Sequence, residues 1–499
     1  MTGGDVASAT EPAAGPARRA LAFAVGAMRG TWLGPALPAT TFAGVAFDSR
    51  RVRPGELFFA LPGERVDGFD YCAAAALAGA VAVVVPAARG IPQNLAERLR
   101  GSSGPPVGVI GVDDVLTALA DLARAVRAEF RGHVIGVTGS NGKTTTKELC
   151  AAALGAAGAV HRTDGSFNTE IGLPRTILAA SGTEAFWVLE MAMRGRGQIA
   201  LLADIARPHV GVITNVAGAH LELLGSIEEV ARAKGELFAG LGPEGIAVLP
   251  GGDPLIEPLA AHLPESRKLR FDGGGPGPND VTIIEFLPAG AAGSVVRYAV
   301  RRQPVVVRLP LSGIHNARNA AAALAVAAAV GVPAPAAALA LAGTVLPPHR
   351  SHPRDIGGRI VLDDCYNANA ASMRAGLETV LSLASAANGG SGRAFAILGD
   401  MLELGPDSAA QHRAVGRDLG GRLAGLVTVG SLASEIAIGA REAGVDAARV
   451  AAVAEPGEAA SKLAPWTRPG DWILVKASRG ARLERAIDAL AENFATGRR

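Results

Sequence analysis

The stretch GVTGSNGKTTTKEL, residues 136–149, has the residue types of a phosphate-binding loop. A β-rich run ends in glycines, and residues with helical spacing follow it. The N–H groups of such a turn and the positive end of the helix dipole favour a bound anion. Lys143 could reach the β- and γ-phosphates of ATP, and the Thr144 hydroxyl could bind Mg²⁺. Further contacts with ATP are expected from the other loop residues, Gly139, Ser140, Asn141, Gly142 and Thr145.

The glycine spacing of this loop differs from the strict Walker A pattern. That pattern places a glycine five residues before the glycine of Gly-Lys-Thr, where this chain has Val137. The glycines stand instead at Gly136, Gly139 and Gly142. A plain glycine turn before a helix is the alternative, but Gly-Lys-Thr after a β-rich run favours a nucleotide site.

Polar residues near the ends of two other predicted strands are candidates for metal binding. Glu190 lies near the carboxyl end of the apolar run 185–192, where α/β sheets place ligand groups, and Mg²⁺ prefers oxygen. His220 follows the run 209–217, and Lys234 comes later at helical spacing. Alone, each has an ordinary explanation as a solvated glutamate, a structural histidine or an exposed helix lysine. Their order after the glycine loop favours a joint site.

Two later stretches, 313–324 and 363–372, are rich in amide side chains. In the first, amides at the start of an alanine-rich helix could read a purine edge or cap the helix. In the second, an acidic residue after a strand could hold a ribose hydroxyl while asparagines position a substrate. The candidates in these stretches are His315, Asn316, Asn319, Asp364, Asn367 and Asn369.

Together these stretches resemble the ATP-dependent Mur ligases of bacterial peptidoglycan synthesis, over nearly the whole chain after residue 40. The glycine spacing of TGSNGKT is typical of that superfamily, including its folylpolyglutamate synthase relatives. DSRRVRPGELFFALPGERVDGFDY resembles the UDP-binding N-terminal domain, and FNTEIGLP resembles a family FNNxIGxP loop. DDCYNANAASM, GDMLELG and KASR resemble the branch that adds D-alanyl-D-alanine. The Asp-Asn-Pro-Arg motif of the diamino-acid-adding branch does not occur.

The resemblance implies an amide ligase that joins D-Ala-D-Ala to the C-terminal carboxylate of UDP-MurNAc-tripeptide through an acyl phosphate, with ATP and Mg²⁺. It implies that Asn319 contacts adenine, Asp364 contacts ribose, and Lys234 is carbamylated. The implied catalytic residues are Lys143, His220, Lys234 and Arg350. The implied Mg²⁺ ligands are Thr144, Glu190, His220 and Lys234. The implied substrate contacts are Ser49, Arg50, Asn168, Thr169, Asn367, Asn369, Lys476, Ser478 and Arg479.

The chain departs from the family pattern at several of these places, and other functions compete. Thr169 replaces the second asparagine, PHRS (348–351) replaces Pro-Gly-Arg, and Ala370 and Ala477 replace a proline and a glycine near the expected dipeptide pocket. A diamino-acid-adding Mur ligase or a folylpolyglutamate synthase-like ligase is the nearest alternative. A P-loop switch or motor ATPase, which would use the nucleotide to drive a partner, is an alternative of a different class.

The elements that must position these residues alternate between short apolar runs and helical patterns, which predicts an α/β fold of three domains. Residues 1–110 form a small α/β domain that binds the UDP substrate, with 1–20 expected to be disordered. Residues 111–345 form a central ATP-binding P-loop domain with a doubly wound, mostly parallel sheet and antiparallel strands within 267–312. Residues 346–499 form a Rossmann-like domain.

Composition restricts the class of protein further. A net charge of +2 over 499 residues shows no excess of basic residues of the kind that nucleic-acid-binding proteins have. Three cysteines, Cys72, Cys150 and Cys365, favour a reducing cytoplasm over a disulfide framework. The apolar residues 320–343 contain Pro333 and Pro335, which predicts two helices rather than a membrane span. We therefore expect a cytoplasmic, monomeric enzyme that acts on small molecules.

Overall fold

The computed structural model shows a mixed α/β protein and describes residues 15–63, 66–101, 105–218, 221–387, 391–419 and 421–496. Its chain divides into two compact units, of which the first comprises Met1–Gly132, His161–Trp187 and Asp204–Arg207. The second comprises His133–Val160, Val188–Ala203 and Pro208–Arg499. The domain boundaries at 110 and 345 remain a prediction. In the described ranges, no helix is long and apolar enough to cross a membrane.

The N-terminal part of the chain contains short strands and helices. They are, in chain order, β1 Arg19–Ala20, α1 Leu21–Ala27, β2 Thr31–Trp32, β3 Thr41–Phe42, β4 Val45–Ala46, β5 Leu57–Phe59, α2 Cys72–Leu77, β6 Ala82–Pro86, α3 Gln93–Gly101, β7 Gly108–Val112 and α4 Val115–Glu129. Five strands form a sheet in the order β2-β7-β6-β5-β4. Because Arg19 and Ala20 pair with β3, the predicted disorder of 1–20 is wrong for them. Residues 1–14 lie outside the described residues.

The central part of the chain alternates strands with helices and then adds a run of strands. Its elements are β8 His133–Thr138, α5 Lys143–Gly155, β9 Val160–Arg162, α6 Gly172–Leu178, β10 Phe186–Glu190, α7 Gln198–Ala206, β11 Val210–Ile213, α8 Leu221–Leu224, α9 Ile227–Ala239, β12 Ile246–Pro250, β13 Lys268–Phe271, β14 Val281–Pro288, β15 Ser294–Val300, β16 Gln303–Leu309, α10 Ile314–Ala329 and α11 Ala334–Ala340.

These strands form one sheet in the order β16-β15-β14-β13-β12-β11-β8-β10-β9. Strands β8, β11, β12 and β13 pair in parallel, whereas β14, β15 and β16 pair antiparallel. The predicted parallel sheet with appended antiparallel strands is confirmed. The separation of α10 from α11 confirms the two-helix interpretation of residues 320–343.

The C-terminal part is a second α/β layer structure. Its elements are β17 His352–Ile356, β18 Arg359–Asp363, α12 Ala370–Ala386, β19 Ala394–Gly399, α13 Ser408–Asp418, β20 Gly425–Val429, α14 Ser434–Glu442, β21 Val450–Val453, α15 Pro456–Leu463, β22 Trp472–Lys476 and α16 Glu484–Thr496. The sheet order is β17-β18-β22-β19-β20-β21, and every pair except β17–β18 is parallel.

Apolar side chains on both faces of this sheet pack against helices. Consecutive strand residues point to opposite faces, so Ile397 and Leu398 of β19 enter different cores. Leu398 packs in one core with Leu377 of α12, and Ile397 packs in the other with Ile487 of α16. The Rossmann-like prediction is thus confirmed. With both faces covered, the carboxyl ends of the strands are the usual place for ligand groups.

Candidate active site

The glycine loop lies between the end of β8 at Thr138 and the start of α5 at Lys143. Gly142 has φ of +78°, and a Cβ there would lie 2.6 Å from Asn319 Oδ1. Gly139 has φ of +149°, and a Cβ there would lie 1.9 Å from Thr214 Oγ1. Backbone conformation and close approach therefore favour glycine at both positions. The contact with Thr214 accounts for Gly139, which departs from the Walker A spacing, whereas Gly142 is the glycine that the pattern shares.

The residues after β11, the strand beside β8, hold this loop in place. Ser140 N–H donates to the Asn215 carbonyl at 2.9 Å, and Asn141 N–H donates to Asn215 Oδ1 at 3.0 Å. The Thr214 hydroxyl donates to the Asn141 carbonyl at 2.6 Å. Sequence reasoning missed Thr214 and Asn215, although two polar residues directly after a buried strand were an available signal. The first N–H groups of α5, which have no partner within a helix, are left as donors for an anion.

Three basic side chains lie at the loop: Lys143, Lys234 and Arg350. The Lys143 ammonium donates to the carbonyls of Gly139 at 2.7 Å and Ser140 at 3.2 Å. Burial lowers the pKa of Lys143, the Glu190 carboxylate opposes that change, and the Arg350 guanidinium adds to it. Burial and then the charge of Lys143 hold the pKa of Lys234 well below its usual value. Charges that disfavour one another in a buried place are typical of a site that binds an anion.

Arg350 lies on the ring of Tyr366, with Cζ 4.0 Å from the ring centroid. Its Nε is buried and has no hydrogen-bond partner within the described ranges. The residues on either side, His349 and Ser351, have φ of +63° and +53°. Such left-handed backbone is uncommon outside glycine and is typical of functional places. A buried, unpartnered guanidinium N–H is a donor suited to a bound phosphate.

Asp364 and Lys476 follow or end neighbouring strands of the C-terminal sheet, and they form an ion pair. Asp364 Oδ2 accepts from Lys476 Nζ at 2.5 Å, and Asp364 Oδ1 accepts from the Ser351 N–H at 3.0 Å. Lys476 also donates to the Asn367 carbonyl at 3.0 Å. The structure therefore brings together the predicted ribose ligand and two predicted substrate residues, and it ties Asp364 to the segment that carries Arg350.

A chain of amides lies at the start of α10. Asn319 Nδ2 donates to Asn316 Oδ1 at 3.3 Å, and Asn316 Nδ2 donates to the Ser312 carbonyl at 2.8 Å. Both polar groups of the Asn316 side chain are thus hydrogen-bonded within the protein, whereas Asn319 Oδ1 lies against the Gly142 backbone. His315, a neighbour in this stretch, has its pKa lowered to about 4 by burial. A neutral His315 and the neighbouring amides fit a buried, structurally fixed helix start.

Asn369 has a structural role that the sequence interpretation did not include. Its Oδ1 accepts from the Ser372 N–H at 2.9 Å, while the Ser372 hydroxyl accepts from the Asn369 N–H at 2.9 Å, which forms a capping box at the start of α12. Asn369 Nδ2 donates to Asn141 Oδ1 at 2.8 Å. One side chain therefore both caps α12 and connects the C-terminal α/β layer to the glycine loop.

The remaining predicted site residues lie in three places. Thr144 and Thr145 are buried in the first turn of α5, and His220 lies outside the described residues. Ser478 is buried and accepts from the Leu402 N–H at 3.0 Å, while Arg479 pairs with Glu484 and lines a cavity of about 590 Å³. The candidates in the first compact unit are Ser49, Arg50, Asn168 and Thr169.

The residues at the loop fit a magnesium nucleotide. Glu190, 2% exposed, ends β10, which is adjacent to β8 in the sheet. Its carboxylate and the buried Thr144 hydroxyl are oxygen ligands of the kind that Mg²⁺ prefers. The cradle with glycines at both tight positions and the unpartnered Arg350 Nε fit the phosphates.

Comparison with known proteins identifies the family of this chain. Residues 41–127 match the Mur ligase family catalytic domain, 137–327 the Mur ligase middle domain, and 349–479 the Mur ligase glutamate ligase domain. The chain is 39% identical to the UDP-N-acetylmuramoyl-tripeptide–D-alanyl-D-alanine ligase of Mycobacterium bovis, over 91% of this chain and 93% of that protein.

Two solved structures show the same fold. Crystal structure I of MurF from Acinetobacter baumannii has a TM-score of 0.81 and 28% identity, and it covers 96% of this chain and 100% of that one. MurF ligase from Thermotoga maritima in complex with ADP has a TM-score of 0.78 and 29% identity, and it covers 91% of this chain and 98% of that one. The predicted resemblance is confirmed: the chain belongs to the Mur ligase family.

Proposed function

We propose that this protein is an ATP-dependent ligase that joins D-alanyl-D-alanine to the C-terminal carboxylate of UDP-MurNAc-tripeptide in peptidoglycan precursor synthesis. The observation that carries the proposal is the cluster of Lys143, Lys234 and Arg350 at a glycine loop whose backbone conformation and close contacts favour glycine at Gly139 and Gly142. The name and the high coverage of the Mycobacterium bovis relative support the choice of substrates.

The nucleotide is bound by residues of the second compact unit. The loop from Gly139 to Thr145 and the Lys143 ammonium hold the β- and γ-phosphates. Asn319, beside Gly142, contacts adenine, and Asp364 contacts ribose. The Nε–H group of Arg350 donates a hydrogen bond to the phosphates, and Tyr366 holds the guanidinium in place. Its planar guanidinium can donate two parallel N–H bonds to one oxyanion, which the ammonium of a lysine cannot do.

Magnesium would be held by Thr144, Glu190, His220 and a carbamylated Lys234, and it would neutralise charge on the phosphates. Lys234 is suited to that modification because burial and the charge of Lys143 lower its pKa, which favours the neutral amine that reacts with CO₂. The carbamate would place two oxygens that share one negative charge beside the cation, where a lysine ammonium would be repulsive.

The protein activates the tripeptide carboxylate by phosphorylation. A carboxylate oxygen attacks the γ-phosphorus, the bond from that phosphorus to the β,γ-bridging oxygen breaks, and ADP leaves. The neutral amine of D-Ala-D-Ala then attacks the acyl carbon, phosphate leaves with the carboxylate oxygen, and the new amide nitrogen loses one proton. Lys143 and Arg350 stabilise the charge that develops on the transferred group, which is the main contribution a protein makes to phosphoryl transfer.

The remaining predicted residues bind the UDP-linked tripeptide and the dipeptide. Ser49, Arg50, Asn168 and Thr169, all in the first compact unit, bind the UDP-linked substrate. The residues assigned to substrate in the C-terminal α/β layer are Asn367, Asn369, Lys476, Ser478 and Arg479. The proposal includes a cytoplasmic, monomeric enzyme with small-molecule substrates and no nucleic-acid partner, in keeping with the net charge of +2.

The test is product mass and phosphate release with ATP, Mg²⁺ and UDP-MurNAc-tripeptide, with D-Ala-D-Ala, a diamino acid or glutamate offered as the acceptor. Of the three acceptors, we expect only D-Ala-D-Ala to give product and phosphate, and we expect Lys143→Ala to lose both. Turnover with a diamino acid or glutamate instead would assign a different ligase. Phosphate release that needs no acceptor would indicate a P-loop ATPase.

A further inference from the structure

A cluster of three potential metal ligands lies beside the nucleotide site and has no part in the proposed reaction. The ligand atoms of His349, Asp363 and Cys365 all lie within 4.8 Å of one another. His349 Nδ1 is 2.9 Å from Asp363 Oδ2, and Cys365 Sγ is 3.0 Å from Asp363 Oδ1 and 3.7 Å from His349 Nδ1.

These separations are near those of a tetrahedral zinc site. Zinc bonds of ~2.3 Å to sulfur, ~2.05 Å to nitrogen and ~2.0 Å to oxygen place the ligand atoms of a tetrahedron about 3.3–3.6 Å apart. Each ligand atom therefore needs to move by only about half an ångström or less to bind one ion. A thiolate, an imidazole and a carboxylate together select zinc over magnesium, which prefers oxygen alone.

The backbone directs these three side chains to one point. Asp363 ends β18, and Cys365 follows two residues later, so both are fixed by the sheet and both are buried. His349 reaches them with a left-handed φ of +63°, and its carbonyl accepts from the Tyr366 N–H at 3.1 Å. The His349 side chain is 29% exposed, which gives an ion and one water molecule access from solvent.

The surroundings add negative charge. The carboxylates of Glu484 and Asp364, besides that of Asp363, are near enough to Cys365 to act on it electrostatically. Glu484 Oε2 is buried and, among the residues the structure describes, has no hydrogen-bond partner. Three cations oppose these carboxylates: Arg354 Nη1 is 4.0 Å from Asp363 Oδ2, Lys476 pairs with Asp364, and Arg479 pairs with Glu484. The negative charge for a dication would therefore come from the Asp363 carboxylate and from the Cys365 thiolate that forms on binding.

We propose that His349, Asp363 and Cys365 bind one Zn²⁺, with water as the fourth ligand. Binding exchanges the proton of the Cys365 thiol for the metal and releases it to solvent, while the His349 proton moves to Nε2 so that Nδ1 is the ligand. In the metal-free protein, Asp363 accepts hydrogen bonds from both partners instead. Because His349 precedes Arg350 and Cys365 precedes Tyr366, the ion would brace the two segments that position the Arg350 guanidinium.

The test is titration of the full-length, metal-stripped protein with Co²⁺ as a spectroscopic substitute for Zn²⁺, in excess Mg²⁺ so that the magnesium ligands are occupied. We expect one equivalent of Co²⁺ to give a thiolate-to-cobalt charge-transfer band, which Zn²⁺ then displaces. Cys365→Ser should abolish the band. His349→Gln should weaken the affinity by about 100-fold or more, since changes even one shell beyond the metal cost about 10–100-fold.

Cys72→Ser is the matched control, because Cys72 is also a free, buried thiol but lies in the first compact unit. It should leave the band unchanged. Zn²⁺ should also raise the thermal unfolding temperature of wild-type protein and of Cys72→Ser, but not of Cys365→Ser. A band that persists in Cys365→Ser, a band lost in Cys72→Ser, or no thiolate band in the folded wild-type protein would each overturn the proposal. None of these outcomes depends on ligase activity, so the proposal fails separately from the proposed function.

Discussion

Substitution of Gly142 by alanine should damage the glycine loop for two reasons that can be given a magnitude. An L-residue at φ of +78° costs about 1–2 kcal/mol relative to glycine. The new Cβ would also lie 2.6 Å from Asn319 Oδ1, so the Asn319 side chain must move away from its bond to Asn316. Loss of that bond costs about 1 kcal/mol. The expected decrease in the free energy of unfolding is therefore about 2–3 kcal/mol.

Gly155→Ala is the matched control in the same helix. Gly155 is exposed at the last position of α5, and a Cβ there would have no atom within 4 Å. Alanine is more stable than glycine in a helix by about 0.5–1 kcal/mol, so this variant should be as stable as wild type or more so. The two glycine variants should consequently differ by about 3 kcal/mol in the free energy of unfolding.

Urea unfolding and nucleotide binding are the two assays. A loop displacement that costs about 2 kcal/mol in binding weakens the affinity for a non-hydrolysable ATP analogue about 30-fold. We expect that loss in Gly142→Ala and none in Gly155→Ala. If the two variants unfold at the same urea concentration and bind the analogue equally, the left-handed conformation and the contact with Asn319 do not shape the site.

Three further predictions follow from the contacts around the loop. Arg350→Lys keeps the charge but loses the planar contact with Tyr366, so the kcat/KM for ATP should fall by about 100-fold with little change in stability; wild-type kinetics would contradict the role of Arg350. Asn369→Ala should lower the free energy of unfolding by about 1 kcal/mol more than Asn369→Asp does, because both variants lose the bond to Asn141 but aspartate still caps α12; equal stability of the two variants would contradict the cap. Burial lowers the pKa of His315 to about 4 and also lowers the pKa of His412, so on acidification the unfolded chain takes up protons before the folded chain does. The stability that these groups contribute is complete above the ordinary histidine pKa of about 6.5 and decreases as the pH falls from there. Urea unfolding across that range should show a smaller pH dependence of stability in His412→Gln than in wild type, whereas stability that rises on acidification would contradict this direction.

The sequence was most informative where the chemistry is local. A strand, glycines, Gly-Lys-Thr and a helix are consecutive in the chain, so the loop and its position at the carboxyl end of β8 could be predicted directly. The antiparallel strands after residue 267 and the pair of helices around Pro333 were also local patterns, since strand alternation and proline breaks need no distant partner.

The groups that support the site could not be predicted in the same way. Asn215 and Tyr366 act on residues far away in the chain, and which residues meet depends on sheet order and on the exact path of each loop. The cluster of His349 with Asp363 similarly depends on the β17–β18 register, which pairs His352 with Asp363. Asn369 is different, because Asn followed three residues later by Ser before an alanine-rich helix has the form of a cap, and a substrate role alone was the less complete interpretation.

The most direct test of the central claim is the fate of the carboxylate oxygens of the tripeptide. UDP-MurNAc-tripeptide labelled with ¹⁸O in its terminal carboxylate is incubated with ATP, Mg²⁺ and D-Ala-D-Ala, and the released phosphate is analysed by mass spectrometry. Activation by phosphorylation transfers one labelled oxygen from each carboxylate to phosphate, and the amide product keeps the other. Unlabelled phosphate released together with amide product would contradict carboxylate activation at this site.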